Sequence, residues 1–271
     1  MQEWEMTPEQ ITEKVKNMVW SFSRVNSASK CRYAWYKSYV EEEKGYENCY
    51  AQFGSICHKT LEKFLRGELD VFNVSQYYED HYAEYVTCDF PANKYTDLAQ
   101  KTYDQGMDYF NNLWFDFDRY EILGVEEELL FHVGEYPFKG YADAIYRDRE
   151  TEEIILRDHK TSSFKYLKDG SVSKTNAEHF KEFRYQELLY CIPLIEKYGK
   201  VDYLSWNMIR DQREIKIPFN QTEYTEAQEW CIATIKELEE EVLWLPDNSN
   251  SYWCNCICGT RGTCPYKKIT G

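Results

Sequence analysis

The spacing of hydrophobic residues divides the chain into a helical first part, a group of strands and a helical end. Apolar residues in the first part recur at intervals of three and four, which is typical of helices with one buried face. Thr7 followed by Pro8 indicates the first helix start, because Thr is a common N-cap and Pro fits the first turn. The pattern predicts further helices over residues 27–40, 53–65, 74–86 and 96–114.

The pattern changes near residue 120, where shorter apolar and alternating runs begin. They predict strands over residues 122–133, 138–147 and 153–160. A long helix is expected over 176–197, and Pro193 should kink or end it. The remaining pattern predicts a hairpin over 201–209 and 213–218, and a helix over 222–245.

Strands bracketed by helices predict an α/β fold, with a central mixed β-sheet flanked by helices. No internal repeat, low-complexity run or Gly/Ser-rich linker interrupts the 271 residues, so one domain is the simplest organisation. We expect a mainly helical part, a core that carries the sheet, and a C-terminal helix with a Cys-rich tail. These parts cover residues 1–120, 121–220 and 221–271.

Composition narrows the class of protein. The hydrophobic fraction is 43%, which is enough to bury a core. No apolar run approaches the ~20 residues that span a bilayer, and the N-terminus lacks the layout of a secretory signal. A soluble, cytoplasmic protein without a membrane partner is therefore expected. The formal net charge of −15 argues against coating nucleic acid by bulk electrostatics, but a local basic groove remains compatible with it.

The strands over 138–147 and 153–160 bring two carboxylates together. If their turn is centred between residues 150 and 151, paired residues have numbers that sum to 301. Ile145 then faces Leu156, and Asp143 faces Asp158, with side chains on one face of the sheet. Lys160 lies two residues after Asp158 and projects from the same face.

Opposed carboxylates repel each other unless a positive charge lies between them. A divalent cation that prefers oxygen ligands, such as Mg²⁺, can supply that charge. The alternative is a hairpin that faces solvent, with Asp143 paired to Lys160 or Arg147. From these strands alone the two interpretations are equally good.

The residues around these carboxylates resemble the core of the PD-(D/E)XK nuclease superfamily. That family carries an Asp on one strand and (Asp/Glu)-x-Lys on the next. Here Gly-Tyr-Ala-Asp occupies residues 140–143, and Ile-Leu-Arg-Asp-His-Lys-Thr-Ser occupies residues 155–162. The resemblance implies a restriction-endonuclease-like core.

Three further segments resemble the RecB-like and Cas4-like exonuclease branch of that superfamily, in the expected order. Residues 53–58 resemble its Gly-x-x-x-His helix, and residues 185–190 resemble its Gln-x-x-x-Tyr motif. Residues 21–25, followed by Cys31, resemble its N-terminal Ser-x-Ser…Cys segment. Together the matches run from residue 21 to residue 264.

The resemblance implies a role for the matched residues. Asp143, Asp158 and the main-chain carbonyl of His159 are expected to bind Mg²⁺ or Mn²⁺, and His58 completes the site. Lys160 is expected to orient the attacking water or to help deprotonate it. Such a site hydrolyses phosphodiester bonds, because the metal provides a nucleophile and neutralises developing charge.

Two further positions are expected to contact the nucleic acid. Gln186 and Tyr190 lie four residues apart on one helix face, and would hold the backbone of the scissile strand. Tyr190 can equally serve core packing. Glu126 and Glu127 lie on the preceding strand, and either serve the site through water or form a partly solvated strand edge.

The C-terminal tail forms a second candidate site. Members of the branch bind a [4Fe–4S] cluster through one N-terminal Cys and three C-terminal ones, spaced Cys-x₂-Cys-x₅-Cys. Cys258 and Cys264 reproduce the five-residue gap, which would make Cys31, Cys258, Cys264 and either Cys254 or Cys256 the ligands, with Cys254 preferred. Both gaps before Cys258 depart from the family spacing. Thiolates also bind zinc, so a cluster, zinc or no metal remain open.

The resemblance implies a Mg²⁺- or Mn²⁺-dependent deoxyribonuclease, with exonuclease action on single strands or duplex ends as the preferred activity. Recombination, repair, phage replication and CRISPR adaptation are its expected settings. The chain has no Gly-x-x-x-x-Gly-Lys-Ser/Thr motif for a motor. Candidate partners are therefore a separate helicase, an annealing protein or a Cas1-type integrase. The alternative is a non-catalytic DNA-binding or assembly subunit that keeps the fold and the metal-binding tail.

Overall fold

A computed structural model describes residues 6–267. Six helices precede the sheet, and their bounds are α1 Pro8–Lys16, α2 Phe22–Ala28, α3 Arg32–Tyr39, α4 Cys49–Leu65, α5 Val74–Tyr85 and α6 Leu98–Asn111. The strands and the later helices are β1 Tyr120–Val133, β2 Tyr136–Asp148, β3 Ile154–Lys160, α7 Ala177–Tyr198, β4 Tyr203–Met208, β5 Arg213–Pro218 and α8 Gln221–Glu239. No helix within residues 6–267 is both long and apolar enough to cross a bilayer.

The five strands form one mixed sheet in the order β1-β2-β3-β4-β5. β3 pairs antiparallel with β2 and parallel with β4, and β5 pairs antiparallel with β4. The parallel pair requires a crossover connection, which α7 provides. The predicted α/β fold, with a mixed sheet and flanking helices, is therefore confirmed.

The chain divides into two compact units. Within the described residues, the first unit comprises 6–48, 130–140 and 225–267, and the second comprises 49–129 and 141–224. In the first unit, the Trp35 ring stacks between Trp20 and Trp244, with ring centroids 6.1 and 5.4 Å away. This aromatic stack is buried and ties the N-terminal helices to the segment after α8.

The second unit has its core between α4, α5 and α6 and one face of the sheet. The buried stripe of α4 includes the apolar residues expected from the sequence, Ile56, Leu61, Phe64 and Leu65, together with Phe53. The stripe packs in one cluster with residues of α5, α6, β2 and β3. His58 also lies on α4, beside this stripe, and 32% of its side chain is exposed.

Two predicted helices differ from the structure. The helix expected over 27–40 is two helices, α2 and α3, that are separated at Ser29–Cys31. Cys31 caps α3, since its Sγ accepts a hydrogen bond from the Ala34 N–H at 3.4 Å, and it therefore lies outside the helix. The helix expected to reach residue 245 ends at Glu239.

Pro193 does not end α7, which continues to Tyr198. A proline removes one main-chain hydrogen bond, but the helix keeps its buried face on both sides of it. Leu189 and Leu194 are fully buried, and their packing stabilises the helix across the proline.

Candidate active site

The pairing of β2 with β3 follows the predicted register. Ile145 lies opposite Leu156, as the sum of 301 requires, and the ladder ends at Ala144 opposite Arg157. Asp143 immediately precedes Ala144 on β2, and its Oδ2 accepts a hydrogen bond from the His159 N–H at 2.7 Å. The side chain of Asp143 therefore satisfies the strand end where regular pairing stops.

Asp158 and Lys160 project from one face of β3 toward α7, because side chains alternate along a strand. Lys160 Nζ lies 2.8 Å from Asp158 Oδ2 and donates a hydrogen bond to Oδ1 at 3.0 Å. The amide of Gln186 on α7 completes the group, accepting from Lys160 at 3.0 Å and donating to Asp158 at 3.3 Å.

These contacts contradict the alternative of a solvent-facing hairpin. Asp158 is 3% exposed, so it is buried and does not face water. Lys160 pairs with Asp158 and not with Asp143. Arg147 pairs with glutamates, at 3.2 Å from Glu121.

α7 places two more groups beside Asp158. Phe183 lies one turn before Gln186, and its ring centroid is 4.6 Å from Lys160 Nζ. Tyr190 lies one turn after Gln186 and is buried. Asp158 and Asp143 contribute to raising the pKa of Tyr190, after the larger effect of its own burial. Gln186 therefore contacts Asp158 directly, whereas the predicted role of Tyr190 stays a prediction.

Three side chains form a candidate metal site on the other side of Asp143. His58 Nδ1 lies 3.5 Å from Asp143 Oδ2 and 3.8 Å from Glu126 Oε1. One ligand atom from each of these residues lies within 4.8 Å of the other two. An imidazole and two carboxylates are a donor set that divalent metals bind.

Glu126 belongs to this site because of its backbone conformation. Its φ is +51°, in the left-handed region that few non-glycine residues adopt, which interrupts the regular alternation of β1. The neighbouring Glu127 binds Lys197 at 2.5 Å, and Glu128 accepts a hydrogen bond from Tyr141 at 3.0 Å. The three glutamates thus have separate partners, and the sequence did not indicate that Glu126 reaches His58.

The charges of His58 and Asp143 stabilise each other. Burial opposes ionisation of Asp143, but the nearby His58 outweighs burial and holds the pKa of Asp143 well below its usual value. Burial likewise opposes a charge on His58, yet Asp143 and Glu126 hold the pKa of His58 well above its usual value. A proton on His58 therefore occupies this pair when no metal is bound, and metal binding would displace it.

Asp158 has the opposite tendency. Burial, followed by the nearby charge of Asp143, raises the pKa of Asp158 to about 6, although Lys160 lowers it. Burial also raises the pKa of Glu187 well above its usual value, and its Oε2 accepts no hydrogen bond within the described part of the chain. A neutral Glu187 adds no further negative charge to the crowded carboxylates.

The main chain and the side chain of His159 contact different parts of the site. The main chain donates to Asp143, whereas the imidazole lies on the opposite face of β3, with its ring centroid 5.9 Å from that of His58. Burial lowers the pKa of His159 to about 3, so the imidazole is neutral. The predicted role of its carbonyl as a metal ligand stays a prediction.

The tail cysteines gather in the first unit. Cys31, Cys254, Cys258 and Cys264 line one small pocket, whereas Cys256 does not line it. Among the described residues, no three of these thiols lie within 4.8 Å of one another. A tetrahedral zinc site needs sulfur atoms about 3.8 Å apart, which follows from Zn–S bonds of about 2.3 Å. The thiols are therefore spread too widely for a preformed zinc tetrahedron.

The Cys31 thiol accepts hydrogen bonds from main-chain N–H groups. Its Sγ accepts hydrogen bonds from the N–H groups of Ala34, at 3.4 Å, and Asp247, at 3.3 Å. Burial, followed by the neighbouring thiols, raises the pKa of Cys254. A metal that binds here must displace the thiol protons.

The arrangement in the second unit supports hydrolysis of a phosphodiester bond. It combines a three-ligand metal site, a buried carboxylate beside it, and a lysine and an amide that face the same space. Similar metal sites polarise phosphoryl oxygens and lower the pKa of bound water. The residues that the sequence predicted for this chemistry, His58, Asp143, Asp158, Lys160 and Gln186, lie together.

Comparisons with known proteins agree with this site. A sequence model of the PD-(D/E)XK nuclease superfamily matches residues 19–269. The fold is similar to the crystal structure of a "Putative exonuclease" from Eubacterium rectale, with a TM-score of 0.52 and 13% identity. That likeness covers 99% of this chain and 97% of that chain, and it concerns the fold alone. No curated protein matches the chain. Since the family model spans nearly the whole sequence, the chain belongs to the PD-(D/E)XK nuclease superfamily.

Proposed function

We propose that this protein is a metal-dependent deoxyribonuclease of the RecB-like or Cas4-like branch, and that it acts as an exonuclease on single strands or duplex ends. The observation that carries the proposal is the position of Asp158, Lys160 and Gln186 beside the three-ligand group of His58, Glu126 and Asp143. Family membership supports phosphodiester hydrolysis. The structurally similar protein from Eubacterium rectale is named a "Putative exonuclease", which supports the choice of exonuclease action.

His58, Glu126 and Asp143 would hold the divalent ion, with Asp158 and the His159 carbonyl as further ligands. An imidazole among the oxygen ligands favours Mn²⁺ over Mg²⁺, because imidazole suits transition metals better than Mg²⁺. When bound, the ion neutralises charge on the phosphoryl oxygens and lowers the pKa of a water molecule.

Lys160 positions the nucleophile. Its ammonium is held on both sides, by Asp158 and by the Gln186 amide, and it lies over the Phe183 ring. Its pKa is raised: burial opposes the charge, but Asp158 outweighs burial. The lysine is therefore charged, and it orients an attacking water by donating to it and stabilises the developing negative charge.

Gln186 and Tyr190 would hold the scissile strand by its backbone. Gln186 already contacts both Asp158 and Lys160, so its amide can exchange one of these hydrogen bonds for a phosphate oxygen without moving its helix. A non-catalytic DNA-binding or assembly subunit remains the alternative. A subunit of that kind does not require all three of Asp143, Asp158 and Lys160.

We also propose that the four tail thiols bind a [4Fe–4S] cluster. A cubane cluster places its cysteine ligands on four different iron atoms, so their sulfur atoms lie further apart than in a mononuclear site. Among the described residues no three of the thiols Cys31, Cys254, Cys258 and Cys264 lie within 4.8 Å of one another, which favours a cluster over a preformed zinc site. The two N–H donors to Cys31 are of the kind that tune metal-bound thiolates.

The first prediction concerns catalysis. Lys160→Ala should lower the rate of DNA cleavage by about 10²–10⁴-fold, because the positioned donor to the water is lost. Binding of DNA should change little, since the lysine acts on the water and not on the strand. End-labelled single- and double-stranded DNA, with Mn²⁺, Mg²⁺ or EDTA, gives the product ladder that measures the rate. The matched control is Lys101→Ala, an exposed lysine of α6. A folded Lys160→Ala protein with wild-type turnover contradicts the assignment.

The second prediction concerns stability without metal. Because the pKa of Asp158 is raised to about 6 in the folded protein, its contribution to stability is present at low pH and is lost as pH rises through 6. Asn does not ionise, so Asp158→Asn in EDTA should melt at or above the wild-type temperature at pH 7.5. That advantage should shrink at pH 5. Thermal melts at both pH values measure this difference.

Titration with Mn²⁺ completes the same experiment. Wild type should gain about 2.7 kcal/mol at a hundredfold excess over Kd, and Asp158→Asn should lose most of that gain. The control variant is Asp148→Asn, which removes a carboxylate paired with Arg119 at 2.7 Å. It should lower the melting temperature but leave the Mn²⁺-dependent gain in stability unchanged. If Asp158→Asn melts well below wild type in EDTA at pH 7.5, Asp158 is structural.

The third prediction concerns the tail. Protein purified without oxygen should be brown and contain about four iron atoms per chain, as a [4Fe–4S] cluster requires. Cys31→Ser should lose the colour and the iron, whereas Cys256→Ser should keep both, because Cys256 does not line the pocket. Elemental analysis of the three proteins measures iron and zinc together. Stoichiometric zinc without iron would contradict the cluster.

A further inference from the structure

The connection from β3 to α7 forms a defined hairpin, here named the basic arm, which comprises residues 161–176. Tyr166 and Val172 form an antiparallel bridge across it. The Leu167 N–H donates to the Ser171 carbonyl at 2.8 Å, and the Gly170 N–H donates to the Leu167 carbonyl at 3.0 Å. Gly170 has φ +87°, which a glycine adopts without strain at a tight turn. The tip is therefore a closed turn.

The base of the basic arm is fixed by one carboxylate. Asp211 accepts hydrogen bonds from the Ser163 hydroxyl, the Phe164 N–H and the Tyr166 hydroxyl, at 2.5, 2.9 and 2.6 Å. The Arg213 guanidinium lies 4.2 Å from the centroid of the Tyr166 ring. The arm is thus held in place before any ligand binds, which reduces the entropy lost on binding.

The same base contacts the candidate active site. The Phe164 ring stacks on Phe183, with centroids 5.4 Å apart and an interplanar angle of 21°. Phe183 in turn lies under the ammonium of Lys160, 4.6 Å away. One aromatic ring therefore links the basic arm to the lysine that we assign to the water.

The basic arm carries positive charge on an acidic protein. Lys165, Lys168 and Lys174 are exposed, and none of them forms an ion pair with another described residue. Asp169 is the single acidic residue in this stretch of sequence. Its carboxylate already accepts hydrogen bonds from the N–H and the hydroxyl of Ser171, at 3.0 and 2.7 Å. The arm thus presents three free ammonium groups, although the chain has a net charge of −15.

We infer that the basic arm binds the sugar-phosphate backbone of the nucleic-acid strand that enters the metal site, an inference that rests on the proposed nuclease function. A polyanion is attracted by charges that lie within about a Debye length of it, roughly 8–10 Å, so a local positive strip can bind it despite the net charge. The lysines are sequence-independent contacts, since they meet phosphates and not bases. They position the strand, while Gln186 and Tyr190 act at the scissile bond.

The test is the salt dependence of binding. Anisotropy of a labelled single-stranded oligonucleotide, in EDTA so that it is not cleaved, gives the binding constant across a sodium chloride series. Each phosphate contact to a single strand contributes about 0.7 to the slope of log K against log salt. Replacing Lys165, Lys168 and Lys174 together with Gln should therefore reduce the slope by about 2. Replacing all three with Arg should keep it.

The matched control is the combined variant Lys44→Gln, Lys94→Gln and Lys101→Gln, which removes the same charge from exposed lysines elsewhere. It should leave the slope nearly unchanged. If the arm variant has the slope of this control while wild type cleaves DNA with Mn²⁺, the arm proposal is overturned and the nuclease function stands. If wild type neither binds nor cleaves nucleic acid, the proposed function is overturned, and the arm proposal with it.

Discussion

Two carboxylates on neighbouring strands, one buried and the other partly buried, impose the constraint on which the rest of the second unit depends. The side chains of Asp143 and Asp158 are only 10% and 4% exposed, so water screens their repulsion weakly. Each carboxylate has one cationic partner: His58 on α4 stabilises Asp143, and Lys160 on β3 stabilises Asp158. The charge balance therefore depends on α4, which carries His58, and on β3, which carries Lys160.

The two pairs differ in how completely they are neutralised. The pKa of Asp143 falls well below its usual value, whereas the pKa of Asp158 rises to about 6 despite its lysine. Asp158 is therefore the group that gains most from a further cation. Because Asp158 is incompletely neutralised, a divalent ion is attracted to this site even without substrate.

Much of this site follows from the sequence, because its residues lie on regular elements. Alternation along a strand and the number of residues in the turn fix the register of β2 against β3, and the structure confirms that register. Helical spacing likewise places His58 beside the buried stripe of α4 and sets Gln186 one turn before Tyr190. These features are local, so periodicity is sufficient to predict them.

The features that the sequence did not predict depend on departures from regular geometry. Glu126 reaches His58 through a left-handed backbone, and within a run of three glutamates no periodicity singles out that residue. The break between α2 and α3 depends on a thiol acting as a helix cap, which is a rare use of Cys. Asp211 fixes the basic arm across 45–48 residues of sequence, a distance at which pattern carries no signal.

The two candidate metal sites differ in the chemistry of their donors, and this difference sorts metals between them. Carboxylates with one imidazole bind hard or borderline ions such as Mg²⁺ and Mn²⁺, whereas four thiols prefer iron–sulfur clusters or zinc. His58, Glu126 and Asp143 contain no sulfur, and the pocket around Cys31 presents four thiols. Each site therefore discriminates against the metal of the other through its own ligands. Under the proposal above, donor chemistry alone would direct a divalent ion to the first site and a thiolate-bound metal to the second.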